Sequence, residues 1–165
     1  MKIYFASDHT GFEMKKALVE YVKELGFGAV DLGPEKMDLN DDYPLEIEKV
    51  GLEIFKNPTD KGIILGGSGQ GEAVVANRFP NVRAAVFYGP NRALSSPDKN
   101  QYDIIKLSRE HNDSNILSIG ARFVSIEEAK EAVKLWLETP FPGDNRHIRR
   151  LEEIDKLEES LYKNP

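Results

Sequence analysis

The sequence predicts an α/β fold. It is a three-layer, Rossmann-like arrangement of five parallel strands, with helices on both faces and a C-terminal helix. Three observations carry this expectation. Short apolar runs alternate with amphipathic stretches along the 165 residues, an order that gives parallel strands joined by crossover helices. Several of those runs stop at polar or glycine-rich turns, at residues 7–11, 66–71 and 120–122. The length suits one domain, 1–165, able to bury about 70% of its unfolded surface.

Taken in order, residues 2–6 read as a first strand, followed by the polar turn Ser7-Asp8-His9-Thr10-Gly11. Met14, Ala17, Leu18, Tyr21, Val22 and Leu25 then recur at three- and four-residue spacing, one apolar helix face. Gly26 is a natural stop for that helix. A short second strand at 29–32 leads into a polar loop at 33–42. Pro44 suits the start of the next helix, whose Ile47, Val50, Ile54 and Phe55 are expected to face one way. Asn57-Pro58 ends it before a third strand at Ile63-Ile64-Leu65. A helix is expected over 72–77, a fourth strand over 83–87, a long loop over 88–99 and a helix over 100–109. The fifth strand follows at 115–119. Ser125 and Glu128 have capping-box spacing for a helix to about residue 138. After the Pro140-Phe141-Pro142-Gly143 break, a last helix over about 146–162 carries Ile148, Leu151, Ile154, Leu157 and Leu161 on one stripe.

Composition excludes several classes. Without cysteine there is neither disulfide nor thiolate chemistry. A net charge of −6 argues against nucleic acid as a main partner. The first apolar run is too short for a signal peptide, and no run reaches membrane-spanning length, so a cytoplasmic protein without membrane attachment is expected.

The organising stretch is Gly62-Ile63-Ile64-Leu65-Gly66-Gly67-Ser68-Gly69-Gln70-Gly71-Glu72. A strand, a glycine turn and a helix start bring free backbone N–H groups and a positive helix end to one place. Such a place suits an anion or a developing oxyanion. No Gly-Lys-Ser/Thr follows, so this is not a Walker A loop. The turn opens the third strand–helix unit, whereas a dinucleotide fold carries its turn on the first. Gln70 stands where a Gly-x-Ser-x-Gly nucleophile elbow needs its second glycine. A tight turn needing glycine for backbone reasons alone is the plain alternative.

The histidines are His9, His111 and His147, and all three fall at predicted element ends among polar groups. Arg146-His147-Ile148-Arg149-Arg150 is a basic cluster in an acidic chain. Arg146 and Arg150 share a helix face, where basic residues at a helix start oppose its dipole and a bound phosphate would offset that cost. Arg122, after strand five, could join them. No His or carboxylate pair shows metal-ligand spacing, so no metal site is expected.

Several separate motifs, in order and nearly end to end, resemble the type B ribose-5-phosphate isomerases and the related galactose-6-phosphate isomerase subunits. They are Ser7-Asp8-His9-Thr10-Gly11-Phe12-Glu13, Asp42-Tyr43-Pro44, the glycine stretch 66–72, Ala76-Asn77-Arg78, Arg109-Glu110-His111-Asn112-Asp113, Gly120-Ala121-Arg122 and the Arg146–Arg150 cluster. One branch of that family uses a Cys as base, at the position matching Gly66; the other uses a Glu after the glycine loop. The resemblance is to the second. It implies Glu72 as base, His111 as ring opener assisted by Asp8, and Ser68 relaying or steadying the proton. It implies Gly67, Ser68, Gly69, Gln70, Gly71 and Asn112 around the enediolate oxygens, with Tyr43 in the substrate site. His9, Arg122, Arg146 and Arg150 would hold the phosphate. No cofactor is implied, and the substrate is a small phosphosugar. The segment over 88–102 is longer than the family's usual link. It leaves open another substrate, a tetrose or hexose phosphate, and a non-catalytic phosphosugar or nucleotide sensor is the rival class.

Topology adds a constraint. A segment between a helix and the following strand lies at the amino edge of a parallel sheet. His111 and Asn112 therefore lie opposite the glycine turn, across a strand of roughly 17 Å. Catalysis by His111 then needs a second copy of the chain. A homodimer, or a tetramer built from it, is expected, with the last helix at the interface.

Overall fold

The computed structural model describes residues 1–91 and 103–163. Five strands, β1 (Lys2–Ser7), β2 (Gly28–Asp31), β3 (Lys61–Gly66), β4 (Ala84–Phe87) and β5 (Ile116–Gly120), form one sheet in the order β2-β1-β3-β5-β4. Every pairing is parallel. Among the described residues six helices follow the expected alternation: α1 (Phe12–Glu24), α2 (Tyr43–Lys56), α3 (Gln70–Ala76), α4 (Ile104–Glu110), α5 (Ile126–Glu138) and α6 (Asn145–Lys163).

The side-chain period of two divides each central strand between two cores. Ile3, Phe5, Ile63, Leu65, Leu117 and Ile119 point to one face. There they meet Met14, Leu18 and Val22 of α1 and Ala129, Val133 and Trp136 of α5. Tyr4, Ala6, Ile64 and Ile116 point to the other face, against Ile47, Val50 and Ile54 of α2 and Ala76 of α3. Both faces of β3 are covered, and all six of its residues are buried.

Three expectations change. Phe55 does not share the buried face of Ile47, Val50 and Ile54; it is 44% exposed. Next to Ile54 on the inner side is Gly51, whose lack of a side chain admits the Phe79 ring, since a Cβ there would lie 2.4 Å from it. The α3 helix begins at Gln70, two residues before the expected start, because Gly69 adopts φ +74° and turns the chain at once into the helix. In α4, the Asp103 carboxylate accepts from the N–H groups of Ile105 and Lys106, and the helix starts at Ile104. The helix start expected at residue 100 and most of the long loop over 88–99 lie outside the described residues. The Ser125–Glu128 capping box is present in both directions.

Lys15 was not foreseen. It lies on α1 fully buried, and its Nζ donates to Asp31 Oδ1 at 2.7 Å and to the Pro34 carbonyl at 2.9 Å. The same Asp31 oxygen accepts from Gly33 N–H. This pair fastens α1 to the chain leaving β2. The Asp31 side chain is 37% exposed but the Lys15 ammonium is buried, so removing Asp31 strands a buried charge, whereas removing the charge itself costs less. Asp31→Ala should therefore lose about 3 kcal/mol of stability, and Lys15→Met less. Urea unfolding of both variants decides this; equal losses would mean that the stranded ammonium is not what the variant suffers from.

Candidate active site

In the order β2-β1-β3-β5-β4, the chain leaves β1 in one direction and β3 in the other. The crevice at the carboxyl ends of β1 and β3 is thus the switch point where α/β sheets take ligands. Backbone bonds join three turns there. Asp8 N–H donates to Leu65 O at 3.1 Å, Ala121 N–H to Gly66 O at 2.8 Å and Arg122 N–H to Gly67 O at 3.2 Å. The Ser118 hydroxyl donates to Gly69 O at 2.6 Å. A cavity of about 420 Å³ opens over the joined turns, a suitable size for a small metabolite. It is lined by Asp8, His9, Tyr43, Gly67, Ser68, Gly71, Glu72 and Arg122. All eight are residues singled out in the sequence. Thr10 and Phe123 also line it and were not foreseen.

Glu72 is only 4% exposed. Its carboxylate lies directly on Gly66: a Cβ built there would overlap the carboxylate oxygens. Position 66 and the Glu72 carboxylate therefore compete for one space, and glycine leaves it to the carboxylate. Burial pushes the Glu72 carboxyl above the ordinary glutamate range, and the nearby Asp8 charge adds to this. Hydrogen bonds from the backbone N–H groups of Glu72 and Gly69 pull the other way without cancelling it. The competition between the helix end and burial is thus decided for burial.

Asp8 is buried, and its Oδ1 accepts from Gly11 N–H at 3.0 Å, which holds the first turn. Ser68 Oγ accepts from Gln70 N–H at 3.3 Å. His9 Nδ1 lies 2.6 Å from Asp41 Oδ1. This hydrogen bond is the largest cause of a raised His9 pKa, and burial and Arg122 oppose it. Nothing in the sequence singles out Asp41, because it stands among several acidic residues in a polar loop.

The structure places His111, Asn112, Arg146 and Arg150 elsewhere. None of them lines the cavity. His111 caps the C-terminal end of α4, and the segment after it is fastened to the amino edge. Arg109 donates to Asp113 Oδ1 at 2.7 Å and to Ser114 O at 2.6 Å, and Arg83 to Asp113 Oδ2 at 2.9 Å. Gly62 N–H, near the start of β3, donates to Asn115 O. The six residues of β3 separate this edge from the glycine turn by roughly 20 Å. The His111 ring stacks on His147, with centroids 4.2 Å apart and planes 16° apart. His147 is buried, its Nε2 accepts from Arg146 Nε at 3.0 Å, and its Nδ1 has no partner. Burial first, then the neighbouring charges of His111, Arg146 and Arg150, lower its pKa. His111, His147 and Arg146 thus form a second cluster, with Asn112 following in the same segment. Among the described residues no group of three or more His or acidic residues could hold a metal. Among them, too, no helix is long and apolar enough to cross a membrane.

Comparison with known proteins gives this geometry a family. Residues 3–154 match the family model described as Ribose/Galactose Isomerase. The chain is 35% identical over 158 residues to ribose-5-phosphate isomerase B of Escherichia coli, covering 96% of this chain and 97% of that protein. It is 32% identical to ribose-5-phosphate isomerase B of Mycobacterium tuberculosis, covering 96% and 90%. Among solved structures, ribose-5-phosphate isomerase B from Mycoplasma genitalium with bound ribulose-5-phosphate superposes with a TM-score of 0.85, at 36% identity and 96% coverage of both chains. A switch-point cavity with a buried glutamate on a glycine turn, together with a match running nearly the whole length, leads to one conclusion: the chain belongs to the ribose/galactose isomerase family.

Proposed function

We propose that this chain interconverts ribose 5-phosphate and ribulose 5-phosphate through an enediolate, with Glu72 as the base. The observation that carries this reading is the buried Glu72 carboxylate seated on Gly66, with its proton affinity raised by burial. A base tuned upward from the ordinary carboxylate range is better matched to proton abstraction at neutral pH. Glu72 takes the proton from carbon 2 of the open-chain aldose and returns it to carbon 1. Asp8 and Ser68 line the same cavity and sit close enough to the turn to steady the hydroxyls involved. The backbone N–H groups of the glycine turn serve the enediolate oxygens, and one such donor can be worth about 10²–10³-fold. Tyr43 closes one side of the cavity. His9 and Arg122 supply positive charge to the phosphate. The relatives named ribose-5-phosphate isomerase B favour the pentose phosphate over a tetrose or hexose phosphate, and over a sensor without catalysis.

A single chain does not complete the ring-opening machinery. His111 is assigned this step, with Asn112 at the enediolate and Arg146 and Arg150 at the phosphate, and all four stand outside the chain's own cavity. We assign them to the site of a second copy. The exposed Ile154, Leu157 and Leu161 of α6 offer the apolar surface for such a pairing. A two-fold homodimer then carries two sites, each with Glu72 of one chain and His111 of the other. No metal or organic cofactor enters the mechanism.

Glu72→Gln should lower turnover by about 10²–10⁴-fold. Its stability should move the other way. A carboxyl whose pKa is raised by folding favours the folded state when protonated, and it loses that contribution as pH rises through the raised value. Relieved of the buried charge, Glu72→Gln should melt no lower than the parent at neutral pH. Near-parental turnover would remove Glu72 from the mechanism. Gly66→Ala should cost activity in a similar way, since its methyl group would displace the carboxylate. A fully active Gly66→Ala would show that Glu72 works from some other position.

Mixing Glu72→Gln with His111→Ala tests the shared site. With free exchange about half the dimers are mixed, and each holds one site with both native residues, so ~25% of parental activity should return. A dead mixture with subunit exchange confirmed would place both residues in one chain's site.

A further inference from the structure

His9 and Asp41 are 32 residues apart, on the turn after β1 and on the loop before α2. His9 lines the cavity, and Asp41 lies behind it with its side chain 10% exposed. One Asp41 oxygen is 2.6 Å from His9 Nδ1, and the other, Oδ2, is buried without a partner. A carboxylate so placed depends on its one neighbour, because a buried charge without compensation is costly. That neighbour can supply a positive charge as well as a hydrogen bond. The other charges facing His9 come from Asp8, at the end of β1, and Arg122, after β5. Asp8 favours the protonated ring; Arg122 and burial oppose it. The Asp41 hydrogen bond is the largest influence of all, and the balance raises the His9 pKa.

We propose that Asp41 is a positioning residue for the substrate: it grips His9 through Nδ1, so that Nε2–H is the group offered to the phosphate. This rests on the reading of His9 as a phosphate ligand. An imidazole without the grip has two tautomers to choose from, and only one of them donates from Nε2. It also loses its charge near its ordinary pKa of about 6.5. The grip selects the Nε2–H tautomer and favours the protonated ring. Arg122 beside His9 opposes the ring's charge, though less than Asp8 favours it. Asp41 thus lets two positive groups share one anion site. It touches neither the reacting carbons nor the phosphate.

The experiment is competitive inhibition by inorganic phosphate at about pH 6 and about pH 8, on either side of the ordinary imidazole pKa. Parent, Asp41→Asn and His9→Gln are compared as ratios of inhibition constants, which cancels the ionisation of phosphate itself. For Asp41→Asn the ratio to parent should be near one at the lower pH. At the higher pH it should rise about 5–10-fold, the loss of a charge-assisted hydrogen bond. His9→Gln should weaken phosphate at both pH values. An Asp41→Asn ratio that stays near one at both pH values, with His9→Gln weakened, overturns the role of Asp41 and leaves His9 as ligand. An equal rise at both pH values marks a structural defect and overturns it too. If His9→Gln binds phosphate like the parent, the phosphate-ligand reading beneath the proposal is the one that fails. Should Asp41→Asn not fold, the parent supplies the answer through the His9 imidazole titration by NMR, assigned by the signal lost in His9→Gln. A midpoint above the ordinary histidine value is expected, and one at or below it overturns the proposal.

Discussion

The parallel register of β1, β3 and β5 is the constraint on which the site depends. Ser7 pairs with Leu65 and Gly66 with Gly120, so three strands end at nearly one level and three turns leave the sheet side by side. Backbone hydrogen bonds then link the turns directly: Asp8 to Leu65, Ala121 to Gly66 and Arg122 to Gly67. A slip of one residue in any pairing would turn core side chains to the wrong face, so the two hydrophobic cores enforce the same register that the cavity needs. The fully buried β3 is the common element of both.

On that frame the electrostatics divide the cavity. Glu72 and Asp8 are buried at its floor, where lost hydration and mutual repulsion raise the proton affinity of Glu72. Arg122 brings positive charge to the same lining, and His9, its pKa raised by Asp41, lies beside it. The proposed sugar phosphate fits this division, with its reacting carbons over the carboxylates and its phosphate toward the cations. The absence of a side chain at residue 66 is a steric condition for the arrangement, since the Glu72 carboxylate fills the space that any Cβ would need.

The second cluster obeys a different logic. Arg109, Asp113 and Arg83 do not face the cavity; they clamp the segment 111–113 to the opposite edge of the sheet. His147 is stacked on His111, and burial and nearby cations lower its pKa. The segment lies far from the chain's own cavity, which is why its role is proposed for the site of a second copy. The exposed apolar residues of α6 lie on the same helix as Arg146 and Arg150.

Periodicity and punctuation in the sequence determined most of the architecture. The alternation of apolar runs and amphipathic stretches, with glycine and proline at the breaks, marked the five strands and six helices of the described residues, because backbone geometry is chosen locally. Four of the cavity's residues, Gly67, Ser68, Gly71 and Glu72, lie in the strand–glycine–helix turn that spacing marked; the turns after the first and fifth strands supplied Asp8, His9 and Arg122, and the family resemblance supplied Tyr43. The fully buried Lys15 paired with Asp31, the exposure of Phe55 and the role of Gly51 as a seat for Phe79 depended on which elements pack together. So did the grip of Asp41 on His9 and the contact of Glu72 with Gly66. No spacing encodes these pairs, because each joins residues from different turns that only the sheet brings within a few ångströms. The direction of the Glu72 pKa was also a tertiary matter: the sequence shows a carboxylate at a helix start, but only packing decides whether water still reaches it.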